Sequence, residues 1–178
     1  IIKLSPDGKN RIYATYIGGN GNEQPHSLVV DGQGNLVLAG RSNSGNYPVT
    51  GPVSNGGGFD IVVTKLNATG TALIGSKKIG GSGDDGVNIS ASRGLSSLQR
   101  NYGDDGRSEV ILDGSGNIYV ASSTQSDDFP VTAGAFQSTF GGGSQDAALL
   151  KLTPNVSAVT FASYFGGTGN DAGYVLSL

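Results

Sequence analysis

Short apolar runs, each closed by glycine, aspartate or asparagine, alternate with polar stretches along this chain. Ser27–Val30, Leu36–Gly40, Ile61–Leu66 and Leu73–Ile79 form one series, and Glu109–Leu112, Ile118–Ala121, Ala147–Leu152 and Val159–Phe165 form a second. No segment of useful length repeats its apolar positions at helical spacing, so the pattern predicts strands throughout. Asp31-Gly32-Gln33-Gly34-Asn35 and Asp113-Gly114-Ser115-Gly116-Asn117 follow the first strand of each series and offer the positive φ angles of a tight hairpin. Asn67-Ala68-Thr69-Gly70 is the turn into a fourth strand. The unbroken runs Leu36–Ala39 and Ile61–Val63 suit strands covered on both faces.

The two series are copies of one sentence, and an internal repeat of this length decides architecture before any single residue does. Lys65-Leu66 precedes Ile79-Gly80-Gly81-Ser82-Gly83-Asp84-Asp85, just as Lys151-Leu152 precedes Phe165-Gly166-Gly167-Thr168-Gly169-Asn170-Asp171. An earlier copy reads Lys3-Leu4, then Ile17-Gly18-Gly19-Asn20-Gly21-Asn22-Glu23. Tyr47-Pro48-Val49-Thr50 is matched by Phe129-Pro130-Val131-Thr132. Lys3 to Lys65 is 62 residues and Lys65 to Lys151 is 86, whereas Asp31 to Asp113 and Tyr47 to Phe129 are both 82. Some 20 residues therefore enter before Asp113, and the echo of Gly83-Asp84-Asp85-Gly86 in Gly103-Asp104-Asp105-Gly106 places them at roughly 87 to 106.

Four antiparallel strands repeated every ~60 residues are the pattern of propeller blades. A unit that small buries only about 60% of its unfolded surface and needs neighbours on both faces. A β-solenoid would use shorter rungs, and a string of β-sandwiches a longer repeat. The expected fold is all-β: four-stranded antiparallel blades in an incomplete ring of about 2.5 blades. Residues 1–25 would be the outer strands of a first blade, 26–82 a complete blade, 83–168 a second complete blade with the insertion, and 169–178 the inner strand of a following blade.

These joined motifs resemble the bacterial β-propeller repeat labelled SBBP. The residues that carry the likeness are Tyr164–Asp171, Asp113–Val120, Phe129–Thr132 and Gly143-Ser144-Gln145-Asp146-Ala147. The chain departs from the pattern in the insertion, in Gly51-Pro52 against Ala133-Gly134, and in Lys77-Lys78-Ile79, where the other copies have Thr15-Tyr16-Ile17 and Ser163-Tyr164-Phe165. The resemblance implies a large secreted or cell-surface bacterial protein with a structural or binding role and does not imply an enzyme.

Composition narrows the chemistry. The chain of 178 residues has 31 glycines, no Cys, Met or Trp, one histidine and a net charge of −3. That charge offers no basic field for a nucleic acid, no stretch approaches the ~20 apolar residues of a membrane span, and disulfides and thiolate zinc sites are excluded. The chain starts at Ile1 inside a repeat without a signal-peptide pattern, which leads us to expect a piece of a longer polypeptide.

Asp84-Asp85, Asp104-Asp105 and the Asp-Gly-x-Gly-Asn phrases invite a calcium reading but lack the alternating ligands and closing carboxylate of a calcium loop. Turn formation is the simpler account. A glycosidase needs two facing acids, yet most aspartates here recur from unit to unit, as a structural group does and a catalytic one does not. His26 has no histidine partner for metal or base work and is expected at a loop or channel edge. The Gly-Gly-x-Gly phrases open no helix and carry no Lys-Ser/Thr, so they read as turns and not phosphate loops. Tyr47 and Phe129 could stack on a sugar ring or wedge between blades, and Arg93, Arg100 and Tyr102 of the insertion could offer donors and a stacking surface. No catalytic residue, metal site or cofactor is expected. The expected role is a non-catalytic module presenting loops to protein or surface partners, with further blades of the same polypeptide or other chains completing its edges. A carbohydrate-binding propeller is the first alternative, and a propeller enzyme with its active site elsewhere is the second.

Overall fold

The computed structural model describes residues 1–52, 56–87 and 107–178. Its ten strands are β1 (Ile2–Leu4), β2 (Arg11–Ala14), β3 (Glu23–Val30), β4 (Leu36–Ser42), β5 (Asp60–Leu66), β6 (Leu73–Ile79), β7 (Glu109–Leu112), β8 (Ile118–Thr124), β9 (Asp146–Leu152) and β10 (Val159–Phe165). They form a two-stranded sheet β1-β2 and two four-stranded sheets, β3-β4-β5-β6 and β7-β8-β9-β10, each in sequence order and antiparallel throughout. This is the all-β blade architecture that the repeat predicts, and it makes no closed ring. Among the described residues no helix is long and apolar enough to cross a membrane.

Turn chemistry sets each strand's limits. Asp31 Oδ1 accepts the amides of Gln33 and Asn35 at 2.9 Å, and Gly34 takes φ 82°. Asp113 repeats these bonds with Ser115 and Asn117, and Gly116 takes φ 79°. The aromatic-Pro-Val-Thr phrase has a purpose that the sequence did not reveal. Thr132 N donates to Ala162 O at 3.0 Å while its hydroxyl accepts from Ala162 N at 3.0 Å, and Thr50 does the same to Ser76. One threonine per blade thus closes part of the outer strand's free edge, the part of a sheet most open to unwanted pairing.

The core lies between the blades. Val37, Ala39, Ile61 and Val63 share one face of the first blade and pack with Val110, Ile118, Val120, Leu150, Leu152 and Phe129 of the second. Strands β4 and β5 are buried along their whole length because sheets cover both faces. The outer rim is fitted by size. At one seam Tyr13 of β2 lies against Gly70, and at the other Val156, at Gly70's repeat position, lies against Gly75, at Tyr13's. Val156 holds φ 59° while fully buried, so packing outweighs the strain of a β-branched residue in the left-handed region.

The domain limits shift in two places. β3 begins at Glu23, before the expected boundary at 26, and residues 169–178 form no strand. A strand is defined by its ladder, and among the described residues no second strand pairs with them. The described residues on either side of 88–106 belong to one interrupted inner-strand ladder. In β3, Glu23 pairs with Ser42 and the register slips between Pro25 and Ser27, leaving His26 in a bulge. In the second blade Asp85 bridges to Thr124, and pairing resumes only at Glu109 with Ala121. The added residues therefore enter where the shorter repeat already has a bulge, a place where the ladder is open and the chain can leave the sheet with least loss of pairing. Residues 88–106 themselves, with Arg93, Arg100 and Tyr102, lie outside the described residues.

Leu28 and Val110 hold equivalent inner-strand positions, yet Leu28 is 59% exposed and Val110 1%. The difference follows from what faces them: β4 and β3 lie behind Val110, whereas the first sheet offers Leu28 no inner strand. Val110→Ala is expected to cost roughly 2 kcal/mol, the transfer of two methyl groups plus a cavity. Leu28→Ala is expected to stay within about 0.5 kcal/mol. Urea unfolding of both variants, followed by circular dichroism, checks the contrast.

Candidate functional site

The turn after each fourth strand gathers several polar side chains and backbone amides. Ile79 ends β6, and Gly80-Gly81-Ser82-Gly83-Asp84-Asp85 then crosses to the next blade. A methyl on Gly80 would collide with the carboxylates of Asp60 and Asp85, so glycine is required there by close approach. Gly81 N donates to Asp85 Oδ2 at 2.8 Å and Asp85 N to Phe59 O at 2.7 Å, which folds the turn against its own blade. The outward amides then clasp the β8–β9 loop. Ser82 N donates to Asp128 Oδ1 at 2.7 Å and Gly83 N to Ser126 Oγ at 2.9 Å, while the Ser126 hydroxyl donates to Asp85 Oδ2 at 2.9 Å. Gln125 N to Asp84 O at 2.9 Å and Gly86 N to Ser123 O at 2.8 Å complete the latch.

The first seam carries the same latch with altered chemistry. Asn20 N donates to Asn46 Oδ1 at 2.8 Å, Gly21 N to Ser44 Oγ at 2.7 Å and Asn22 N to Asn43 Oδ1 at 2.7 Å. Glu23 stands where Asp85 does, and its carboxylate accepts from the hydroxyls of Ser42, at 2.9 Å, and Ser44. Asp84-Asp85 and the Gly-Gly-x-Gly phrases at 18–21 and 80–83 thus act as turns that also hold blade to blade, while Asp104-Asp105 lies outside the described residues. Ser44, Asn46, Ser126 and Asp128 are the residues that sequence reasoning missed. Their signal was present: Ser44-Gly45-Asn46-Tyr47-Pro48 aligns with Ser126-Asp127-Asp128-Phe129-Pro130.

The match to known proteins falls on this seam. Residues 12–48 match the family model SBBP, a beta-propeller repeat. The match covers 37 of the 178 residues. The matched stretch runs from β2 across the first latch to the Tyr47-Pro48 loop, so one unit of the repeat spans two sheets and contains both sides of a latch. No curated protein matches the chain.

Neither aromatic candidate of the repeat presents a face to solvent. Tyr47 is 4% exposed, and its hydroxyl shares a hydrogen bond of 2.9 Å with Thr64 Oγ1, which in turn bonds Ser76 Oγ at 2.8 Å. Phe129 is 3% exposed, with its ring 5.9 Å from that of Tyr164, and Phe140 meets the same tyrosine edge-on at 5.9 Å. A ring so enclosed cannot stack on a sugar, and the wedge role is the one the geometry supports. The two blades solve one packing problem differently. Tyr47, Thr64, Ser76 and Lys78 of the first blade stand where the second has Phe129, Leu150, Ala162 and Tyr164. Lys78 departs from the tyrosine of the other copies and forms a buried ion pair with Asp60 at 2.6 Å.

His26 occupies the bulge of β3 beside a polar cleft lined by Pro25, Ser27, Arg107, Ser108 and Glu109. Its Nδ1 lies 3.2 Å from Ser108 Oγ, which bonds Ser122 Oγ at 2.7 Å. Val110 N donates to Ser27 Oγ at 3.3 Å, and Leu176 N to Glu109 Oε2 at 2.9 Å. These contacts stitch the inner strands and the C-terminal segment side by side. Among the described residues no three metal-ligating side chains cluster.

Burial at the seam shifts the acid–base equilibria of two groups in opposite directions. Desolvation lifts the Asp85 carboxyl to about 6 against hydrogen bonds from Thr124, Gly81 and Ser126, with nearby Asp60 adding to the rise. Desolvation lowers His26 to about 4, helped by the Arg41 charge. The signs oppose. Between pH 4 and 6 the folded state holds the Asp85 proton more tightly than the unfolded state, so Asp85 contributes stability at low pH that is lost as pH rises through 6. Between pH 4 and 6.5 His26 binds its proton more weakly when folded, so its contribution is lost as pH falls. Relative to the natural chain, Asp85→Asn is expected to gain stability from pH 4 to 7, and His26→Gln to gain from pH 7 to 4. Urea midpoints across that range read both slopes.

Proposed function

We propose that this chain is a non-catalytic structural and interaction module of a secreted or cell-surface bacterial β-propeller protein, holding its loops rigid for contact with protein or surface partners. The observation that carries this reading is the latch, made at both seams by a serine hydroxyl and an Asn or Asp oxygen that accept from successive turn amides. Its acidic residues face the chain's own amides and hydroxyls. The loops 43–50 and 125–132 are held on one side by the latch and on the other by Thr50 and Thr132. A loop fixed before binding loses little conformational entropy on contact, which favours presentation to a partner. The bacterial and extracellular parts of the proposal rest on the resemblance of the joined motifs. The enclosure of Tyr47 and Phe129 weighs against the carbohydrate alternative.

Backbone ¹⁵N relaxation of the full chain tests the reading. Loops 43–50 and 125–132 are expected to have order parameters near the ~0.85 of rigid backbone, and values below about 0.6 would refute rigid presentation. Saturable binding of an oligosaccharide, lost in folded Tyr47→Ala, would replace the proposal with the carbohydrate reading.

A further inference from the structure

Lys78 departs from the repeat at a place where its surroundings are kept. The first blade has Asp60, Lys78 and Asp85, and the second has Asp146, Tyr164 and Asp171 at the same repeat positions. Both carboxylates recur, so the amine is what the first blade adds. Asp60 opens β5, and Lys78 of β6 pairs with Val62, which makes Asp60 and Lys78 diagonal neighbours on one face of the ladder. Lys78 Nζ lies 2.6 Å from Asp60 Oδ2, and the two side chains are 4% and 0% exposed.

The pair is poorly provided for as ions. Both Asp60 oxygens are buried, and among the described residues neither accepts a hydrogen bond. A buried ion pair recovers its desolvation cost only with good geometry and further hydrogen bonds. Loss of water between the two groups, giving a neutral amide, removes both charges from the interior.

A second acid stands at the other Asp60 oxygen. A methyl on Gly80 would lie 2.0 Å from Asp60 Oδ1 and 2.5 Å from Asp85 Oδ2, so the two carboxyls meet across the space that the glycine leaves open. Burial, with the Asp84 charge, pushes the Asp60 carboxyl up against the pull of Lys78, and burial lifts Asp85 to about 6. The site thus favours protonated acids, the form that an attacking amine needs.

We propose that Lys78 and Asp60 form an autocatalytic cross-link site, where the lysine amine condenses with the aspartate carboxyl, assisted by Asp85, into an amide joining β5 to β6. The ammonium first gives a proton to Asp60, and the freed amine attacks Cγ while the Asp85 carboxyl donates to Oδ1, where negative charge develops. The Nζ–Cγ bond forms and the Cγ–Oδ2 bond breaks. Oδ2 leaves as water, both of its hydrogens coming from the ammonium, and the remaining hydrogen stays on the amide nitrogen. Asp85 ends in the state in which it began. Contact between amine and acid in a dry site makes the step unimolecular, which is the advantage that free lysine and aspartate in water lack. The second blade has no amine at Tyr164, so the cross-link belongs to the first blade alone. This inference is independent of loop presentation to a partner.

The test is the mass of the full natural chain, purified folded, held in neutral buffer and then measured under denaturing conditions. It is expected to fall short of the sequence mass by one water. Trypsin is expected to release a branched peptide joining residues 42–65 to residues 78–93, because an acylated Lys78 is no longer a cleavage site. Lys78→Arg keeps the positive charge without the amine and is expected at full mass. Asp85→Asn retains both reacting groups and is expected to condense at least about 100-fold more slowly, read as the fraction at full mass over time. A folded natural chain that keeps its full mass overturns the proposal. So does a lost water without the branched peptide, the result that an aspartyl succinimide at one of the Asp-Gly turns would give. Equal rates in Asp85→Asn and the natural chain overturn the role given to Asp85.

Discussion

Each four-stranded sheet of this chain has two faces that exclude water only when another sheet lies against them. A helix can turn one stripe inward and leave the rest wet, but strands such as Leu36–Ser42 are buried on alternate residues to both sides. Coverage from neighbouring blades is therefore the constraint on which the rest depends. The hydrophobic effect supplies attraction between sheets without fixing their relative position. The latch supplies that position, because amides, a serine hydroxyl and a carboxylate meet in one arrangement. The size exchange of Tyr13 and Gly70 for Gly75 and Val156 fixes the outer rim, and the His26–Ser108 contact fixes the inner one.

Within that fixed geometry the chemistry varies. The first blade fills its interior with a Tyr47–Thr64–Ser76 chain of hydroxyls and a Lys78–Asp60 pair, and the second fills the same space with Phe129, Leu150, Ala162 and Tyr164. The substitutions come as a set. A lone Thr64 under an aromatic hydrocarbon ring would leave a buried hydroxyl with fewer partners, which costs more than the hydrogen bond returns. Lys78 without Asp60 would be a buried charge alone. The hydroxyls change together, whereas the carboxylate stays: Asp146, at the repeat position of Asp60, is buried opposite Tyr164 and accepts from Gly141 N instead of from a lysine.

Legibility followed the range of the interaction. The strands β6, β7 and β10 lie where the apolar runs place them, and the hairpins at Asp31 and Asp113 form because each aspartate bonds amides within four residues. The latch was half legible. Its glycines and acids stand out as a phrase, but Ser44 and Asp128 read as ordinary loop residues until the fold brings them to amides more than 20 positions away. Tyr47 and Phe129 show the limit of local reading: an aromatic before proline looks the same whether its ring faces water or a neighbouring sheet.

The sequence by itself determined the all-β class, the blade as the repeating unit and the count of added residues, since these depend on periodicity and subtraction. It also determined the turn chemistry, because Asp, Asn and Gly act on their own backbone. Only the tertiary structure decided that the residues on either side of 88–106 belong to one interrupted inner-strand ladder and that the Gly-Gly turns latch one blade to the next. It likewise decided that Val110 is enclosed while Leu28 is open. Each of these depends on which sheet lies opposite, and that is settled by apolar faces and hydrogen-bond partners far apart along the chain.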